Sequence, residues 1–186
     1  MKTGAAPIGR HVALIRGINV GRAKRVAMAD LRGLVEELGY ADVRTLLNSG
    51  NIVFSAPHLP AIHAADRIEM AMRTRLGVAA RVVVLGAREL ATIVAENPLG
   101  GVATDPSRLL VHVLFDPADR ARLIPLVAQP WGAAALALGT RAAYAWCPEG
   151  ILQSELPVAI GRVLGDAATS RNWATITKLH ALAGDR

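Results

Sequence analysis

The chain has 186 residues, of which 52% are hydrophobic; that is enough apolar material for one large or two small packed cores and too much for a disordered chain. Its formal net charge is +6 and Cys147 is its only cysteine, which excludes an internal disulfide and a thiolate metal site. No apolar run approaches the ~18 residues that span a bilayer, and the polar start over residues 1–10 lacks the hydrophobic block of a signal peptide, so the expected setting is cytoplasmic, with no membrane partner.

Residues 11–16 are apolar, β-rich and closed by Gly17, which predicts a first strand. Met28, Leu31, Leu34, Val35 and Leu38 recur on one helical face before Gly39, predicting a helix over 28–38. Two short strands, 43–47 and 52–55, flank Asn48-Ser49-Gly50-Asn51, a tight-hairpin signal. A second helix over 60–76 carries Ile62, Ala65, Ile68, Met72 and Leu76 on one face and stops at Gly77. A near-continuous apolar strand covers 81–85, and a short helix over 88–96 ends at Asn97-Pro98. Residues 99–107 read as a linker.

After the linker the order repeats. A strand covers 108–115, and Asp116-Pro117 opens a helix through Val127. Strands 133–138 and 141–146 flank Gly139-Thr140; a helix over 154–164 turns Leu156, Ile160, Val163 and Leu164 inward; a short extended piece near Ala168 precedes a last helix over 172–183. The expected architecture is therefore α+β: two tandem ferredoxin-like (βαββαβ) units, each followed by an extra helix, at residues 1–98 and 108–186.

In a ferredoxin-like unit the loop after the first strand and the hairpin between the second and third lie at one end of the sheet. That topology gathers a first corner of Arg16, Gly17, Asn19, Gly21, Arg22, Lys24 and Arg25 with Ser49, Gly50 and Asn51. A second corner joins Glu149, Gly150 and Ser154 to Arg171, Asn172, Trp173 and Lys178. Residues 1–29 hold six bases and no acid, whereas the remainder holds fifteen of each, so the whole charge imbalance sits beside the first corner. Such a segment attracts phosphates. Gly17 and Gly21 free backbone amides to approach a ligand, and the flanking bases add charge. The Gly-Lys-Ser/Thr ending of a Walker loop is absent.

Each feature also has a purely structural reading. The basic loop is then a solvated connection and the hairpin residues are turn chemistry. Ser154 and Asn172 cap helices, Trp173 anchors the core, and Arg171 is solvated. Ser49 has no identifiable histidine base and no Gly-x-Ser-x-Gly elbow. The five histidines form no i,i+4 pair, so no metal and no cofactor are expected. Tyr144 and Trp146 share one strand face, but the aromatic–glycine signature of RNA-reading sheets is missing. Nucleic acid would be met through loops and phosphates.

Arg16-Gly17-Ile18-Asn19-Val20-Gly21, Met28-Ala29-Asp30-Leu31 and Ser49-Gly50-Asn51-Ile52-Val53-Phe54 are similar to the N-terminal signature of the domain-of-unknown-function 1697 family. Asn97-Pro98, Pro148-Glu149-Gly150-Ile151, Ser154, and Arg171-Asn172-Trp173 with Thr177-Lys178-Leu179 resemble its later motifs. The resemblance runs in order over about residues 12–182 and implies a bacterial-type cytoplasmic α+β protein, with no reaction attached. The chain departs from the family pattern at Arg22, where a glycine is usual, and at Ala174, where a second asparagine is common. It also carries Leu152-Gln153-Ser154-Glu155 where the family tends to have Gly-Arg-Ser-Lys. Two bases exchanged for Gln153 and Glu155 weigh against anion binding at the second corner. Cys147 stands where the family often carries an aromatic, which weighs against a catalytic thiol.

The expected function is binding of a phosphorylated small molecule or a nucleic-acid-like anion at the first corner. Two alternatives remain open. One is an enzyme on a nucleotide-like substrate, with Asn51 or Glu149 polarising the reacting group. The other is a non-catalytic module that binds a protein through apolar surface. No residue is marked as catalytic, and neither ligand nor oligomeric state is specified.

Overall fold

The computed structural model describes residues 8–20, 25–57 and 60–184. Two compact units divide the chain, Met1–Leu90 with Leu179–Arg186, and Ala91–Lys178.

The first unit contains β1 (Ile8–Ile15), α1 (Met28–Glu37), β2 (Ala41–Leu46), β3 (Asn51–Pro57), α2 (Ala61–Leu76) and β4 (Val82–Gly86), and α3 (Ala87–Ala95) begins in it. The strands form one antiparallel sheet in the order β2-β3-β1-β4, the ferredoxin-like arrangement. Both faces of the central β1 and of the edge strand β4 are buried, which is why they read as apolar runs rather than alternations. Ala13, Ile15, Ile52, Phe54, Val82 and Val84 join Leu31, Leu34 and Val35 of α1 and Ile68 and Met72 of α2 in one core. Val12, Leu14, Val53, Val83 and Leu85, on the opposite face, are also buried. Ile62, expected to point inward, is exposed. The buried stripe of α2 runs through Ala64, Ala65, Ile68, Ala71 and Met72, and alanine occupies a core face without marking it in a hydropathy pattern.

The second unit repeats the order with β5 (Leu109–Leu114), a 3-10 helix (Pro117–Leu123) running into the short α4 (Ile124–Val127), β6 (Ala135–Leu138), β7 (Ala142–Trp146), α5 (Glu155–Leu164) and β8 (Ala168–Asn172); α6 (Trp173–Gly184) begins in it. The sheet is antiparallel, ordered β6-β7-β5-β8. Asp116 does cap the first helix, its carboxylate accepting from the Ala118 amide at 2.8 Å. That helix is nevertheless not one α-helix through Val127 as expected. Pro125 has no N–H for the carbonyl four residues back, that of Ala121, and the Ile124 amide takes it instead in an i to i−3 bond, so the segment runs as 3-10 helix before α4 starts. β8 is made of poor strand formers and exists because β5 offers it a ladder, with His112 opposite Ser170 and Val111 opposite Arg171. Within this unit the Tyr144 hydroxyl donates to the Ile93 carbonyl at 2.6 Å, and the Glu96 carboxylate accepts from both the amide and the hydroxyl of Thr140. These bonds pin the β6–β7 turn to the end of α3. Among the described residues, no helix is long and apolar enough to cross a membrane.

Candidate functional site

The first corner follows from strand direction. β1 ends at Ile15 opposite Val82, so Arg16 and Arg81 leave the sheet together, and the Arg16 amide donates to the Arg81 carbonyl at 2.8 Å. β3 begins at Asn51 opposite Leu14, and the Ile15 amide donates to the Gly50 carbonyl at 2.9 Å. The loop after β1, the β2–β3 hairpin and the approach to β4 therefore share one end.

Asn19 ties these pieces together. Its backbone is left-handed, at φ 56°, a conformation asparagine tolerates better than most residues. Its side-chain oxygen accepts from the Val26 amide at 2.8 Å, and its amide group donates to the carbonyls of Val26 at 2.9 Å and Asn48 at 2.7 Å. Asn51 is fully buried and donates to the Leu46 carbonyl at 2.9 Å and the Ser49 hydroxyl at 3.0 Å. Gly50, at φ 73°, leaves no room for a side chain: a Cβ there would stand 2.8 Å from Ile18 Cδ1 and 2.9 Å from Ile15 Cβ. Gly17, at φ 67°, faces open space. Asn19, Gly50, Asn51 and Ser49 thus build the frame of the corner.

The groups this frame carries at its surface are Arg16, half-buried, with Arg25, Arg81 and Asn48, all exposed. Val20 and Leu47 are exposed apolar residues in the same two loops. α1 starts here after Ala27, which supplies no capping side chain, so its first-turn amides lack a side-chain cap and keep their partial positive charge, against one negative charge from Asp30 in the same turn. Gly21, Arg22 and Lys24 lie outside the described residues. Arg81 was not singled out from the sequence. Its only signal was its place at the head of the apolar strand expected over 81–85, and the β1–β4 pairing is what sets it beside Arg16.

Replacing Asn19 tests the frame. Asn19→Ala loses three hydrogen bonds and keeps an unfavourable φ, for an expected loss of about 2–4 kcal/mol. Asn19→Gly loses the bonds alone and should recover about 1 kcal/mol of that. Urea midpoints measure both, and an alanine variant as stable as the wild type would contradict this role.

The second corner also shares one sheet end. The Cys147 amide donates to the Arg108 carbonyl at 3.0 Å, Leu110 lies opposite Asn172, and the Ala174 amide donates to the Pro106 carbonyl at 3.3 Å. Its side chains do not converge. Ser154 accepts from the Leu156 amide at 3.3 Å, capping α5. Asn172 accepts from the amide of Thr175 at 2.9 Å and from its hydroxyl at 2.7 Å, capping α6. Arg171 is neither solvated nor at the helix start: it is buried in β8, donates to the Thr169 hydroxyl at 3.1 Å and the Ser170 carbonyl at 2.7 Å, and burial draws its pKa down to about 10. Glu149 and Lys178 are exposed, and Trp173 is half-buried. Gly150, at φ 110°, has the Gln153 amide where a Cβ would go. Burial pushes the Cys147 thiol up against a Ser154 hydrogen bond that favours the thiolate, which keeps it a poor nucleophile. Tyr144 and Trp146 are buried and present no stacking surface. Among the described residues, no three of His, Cys, Asp or Glu gather as metal ligands.

A sequence model of the family described as "Protein of unknown function (DUF1697)" matches residues 8–144. The chain belongs to the DUF1697 family. Its fold is also that of a solved structure, the conserved bacterial protein SP0830 from Streptococcus pneumoniae, at 20% sequence identity and a TM-score of 0.79, covering 95% of this chain and 99% of that one. A search of curated proteins finds no match. At that identity the neighbour speaks for the fold of this DUF1697 protein alone.

Proposed function

We propose that this DUF1697 protein binds a phosphorylated or nucleic-acid-like anion at the corner of its first unit. The observation that carries the reading is that Arg16 and Arg81, paired through their backbones, share one sheet end with the start of α1 and with Arg25, the neighbour of the Val26 that Asn19 clamps. A rigid frame keeps the ordering cost of binding low, and arginine matches phosphate geometry with two parallel donors. Backbone amides at the start of a helix suit the same charge. The basic segment over residues 1–29 supplies long-range attraction.

The test is thermal unfolding against nucleotides, polyphosphate and short RNA and DNA oligomers, at low and high salt, with an Arg25→Ala, Arg81→Ala variant as control. Both side chains are exposed, so the variant should fold. A rise in Tm that shrinks with salt and disappears in the variant is expected, with binding weakened by about tenfold or more at low salt. A shift that survives in the variant, or no shift with any ligand, would move the weight to a protein-binding module.

A further inference from the structure

A cleft of about 450 Å³ opens in the second unit, lined by the turn after α4, the loop after β7 and the first turn of α5. Its volume lies within the ~300–1,000 Å³ usual for small-molecule sites. The walls are stiff. Pro130 and Pro148 restrict the backbone at two points. The Trp131 indole N–H donates to the Leu126 carbonyl at 2.7 Å, and the ring packs against the core that contains Leu123, Leu126, Leu156 and Ile160. The Ala134 amide closes on the Trp131 carbonyl at 3.1 Å, and the Gly150 amide on the Cys147 carbonyl at 2.9 Å. The Ser154 cap holds the start of α5.

Charge then decides what the cleft suits. Glu149 and Glu155 are the only charged residues in its lining. Both are exposed, and neither has an ion-pair partner among the described residues. The start of α5 opposes them with the equivalent of about half a positive charge, so two full carboxylates prevail. Arg108 reaches the Pro148 carbonyl from outside the lining, and its own charge is matched by Asp105 at 3.2 Å. The rest of the lining is apolar or uncharged, with Trp131 as its one aromatic.

We propose that this cleft binds a small organic cation, a protonated amine with a flat apolar body, its ammonium held by Glu149 and Glu155 and its body against Trp131. A carboxylate–ammonium contact is a charge-assisted hydrogen bond, and a cation near an indole gains from the ring quadrupole. The site is separate in residues and opposite in charge preference from the anion corner of the first unit, so either can fail without the other.

Isothermal titration of the full chain with phenethylamine at neutral pH is the test, with phenylacetate as the anionic counterpart and a Glu149→Gln, Glu155→Gln variant as control. Saturable binding of phenethylamine, none of phenylacetate, and a loss of about tenfold or more in the variant are expected. Both substitutions are on exposed, unpaired side chains, and an unchanged Tm verifies that the variant is folded. The proposal is overturned if phenethylamine does not saturate by about 10 mM, if phenylacetate binds as well, or if the folded variant binds phenethylamine undiminished.

Discussion

Gly50→Ala is expected to destabilise the first unit by about 2–5 kcal/mol, from about 1–2 kcal/mol for a side chain at left-handed φ and about 1–3 kcal/mol for overpacking. The added Cβ would meet Ile15 Cβ at 2.9 Å and Ile18 Cδ1 at 2.8 Å. Ile15 Cβ is fixed to the backbone of β1, and both isoleucines are fully buried, so neither has solvent to swing into. Relief would require the hairpin to lift from β1, which would break the bond from the Ile15 amide to the Gly50 carbonyl. Gly17→Ala is the matched control. Its φ of 67° is nearly the same, and a Cβ there meets nothing within 4 Å, so only the backbone part, about 1–2 kcal/mol, should appear. Urea unfolding of both variants, followed by far-UV circular dichroism, separates the contributions. Equal losses would mean that the hairpin does not press on β1 as described.

The second large effect is a loss of stability on acidification through His112. This side chain is 5% exposed in the middle of β5, with Nδ1 at 2.8 Å from the Ser170 hydroxyl and no partner for Nε2. Burial alone pushes its pKa from 6.5 down to about 4. The unfolded chain therefore binds a proton between those values that the folded chain refuses. Stability is intact above pH 6.5 and falls as the pH drops to 4, by about 3 kcal/mol at most. His112→Leu cannot titrate, so its Tm should be flatter over that window. Glu96 acts lower on the scale. The Thr140 hydroxyl and amide hold its carboxyl below the usual value of 4.5, so its contribution is present above that value and lost as the pH falls through the depressed one. Parallel pH–Tm curves for wild type and His112→Leu would show that His112 is not buried neutral.

The two units differ in how openly their residues announced themselves. Strand and helix order was readable because the periods of 2 and 3.6 are local, and because Gly17, Gly39, Gly77 and Pro98 punctuate them. The location of the first corner was readable too, since a ferredoxin-like order fixes which loops share an end. What each corner residue does was not. Asn19 reaches partners 7 and 29 residues away, and nothing in its neighbours distinguishes a frame residue from a ligand contact. Arg171 sits in Ala-Thr-Ser-Arg-Asn, which has no hydrophobic alternation, yet β5 recruits that segment into the sheet and buries the guanidinium with it.

The family, the α+β order of elements, the concentration of positive charge at the N-terminal end and which loops meet are all legible in the residues alone. It takes the folded chain to make Asn19, Gly50 and Asn51 framework, to stand Arg81 beside Arg16, and to form an acid-lined cleft from segments 129–134 and 148–156. The physical reason is one of range. A hydropathy pattern reports how a segment faces its own axis, whereas the role of a polar side chain depends on partners that strand pairing and helix docking bring from elsewhere in the chain.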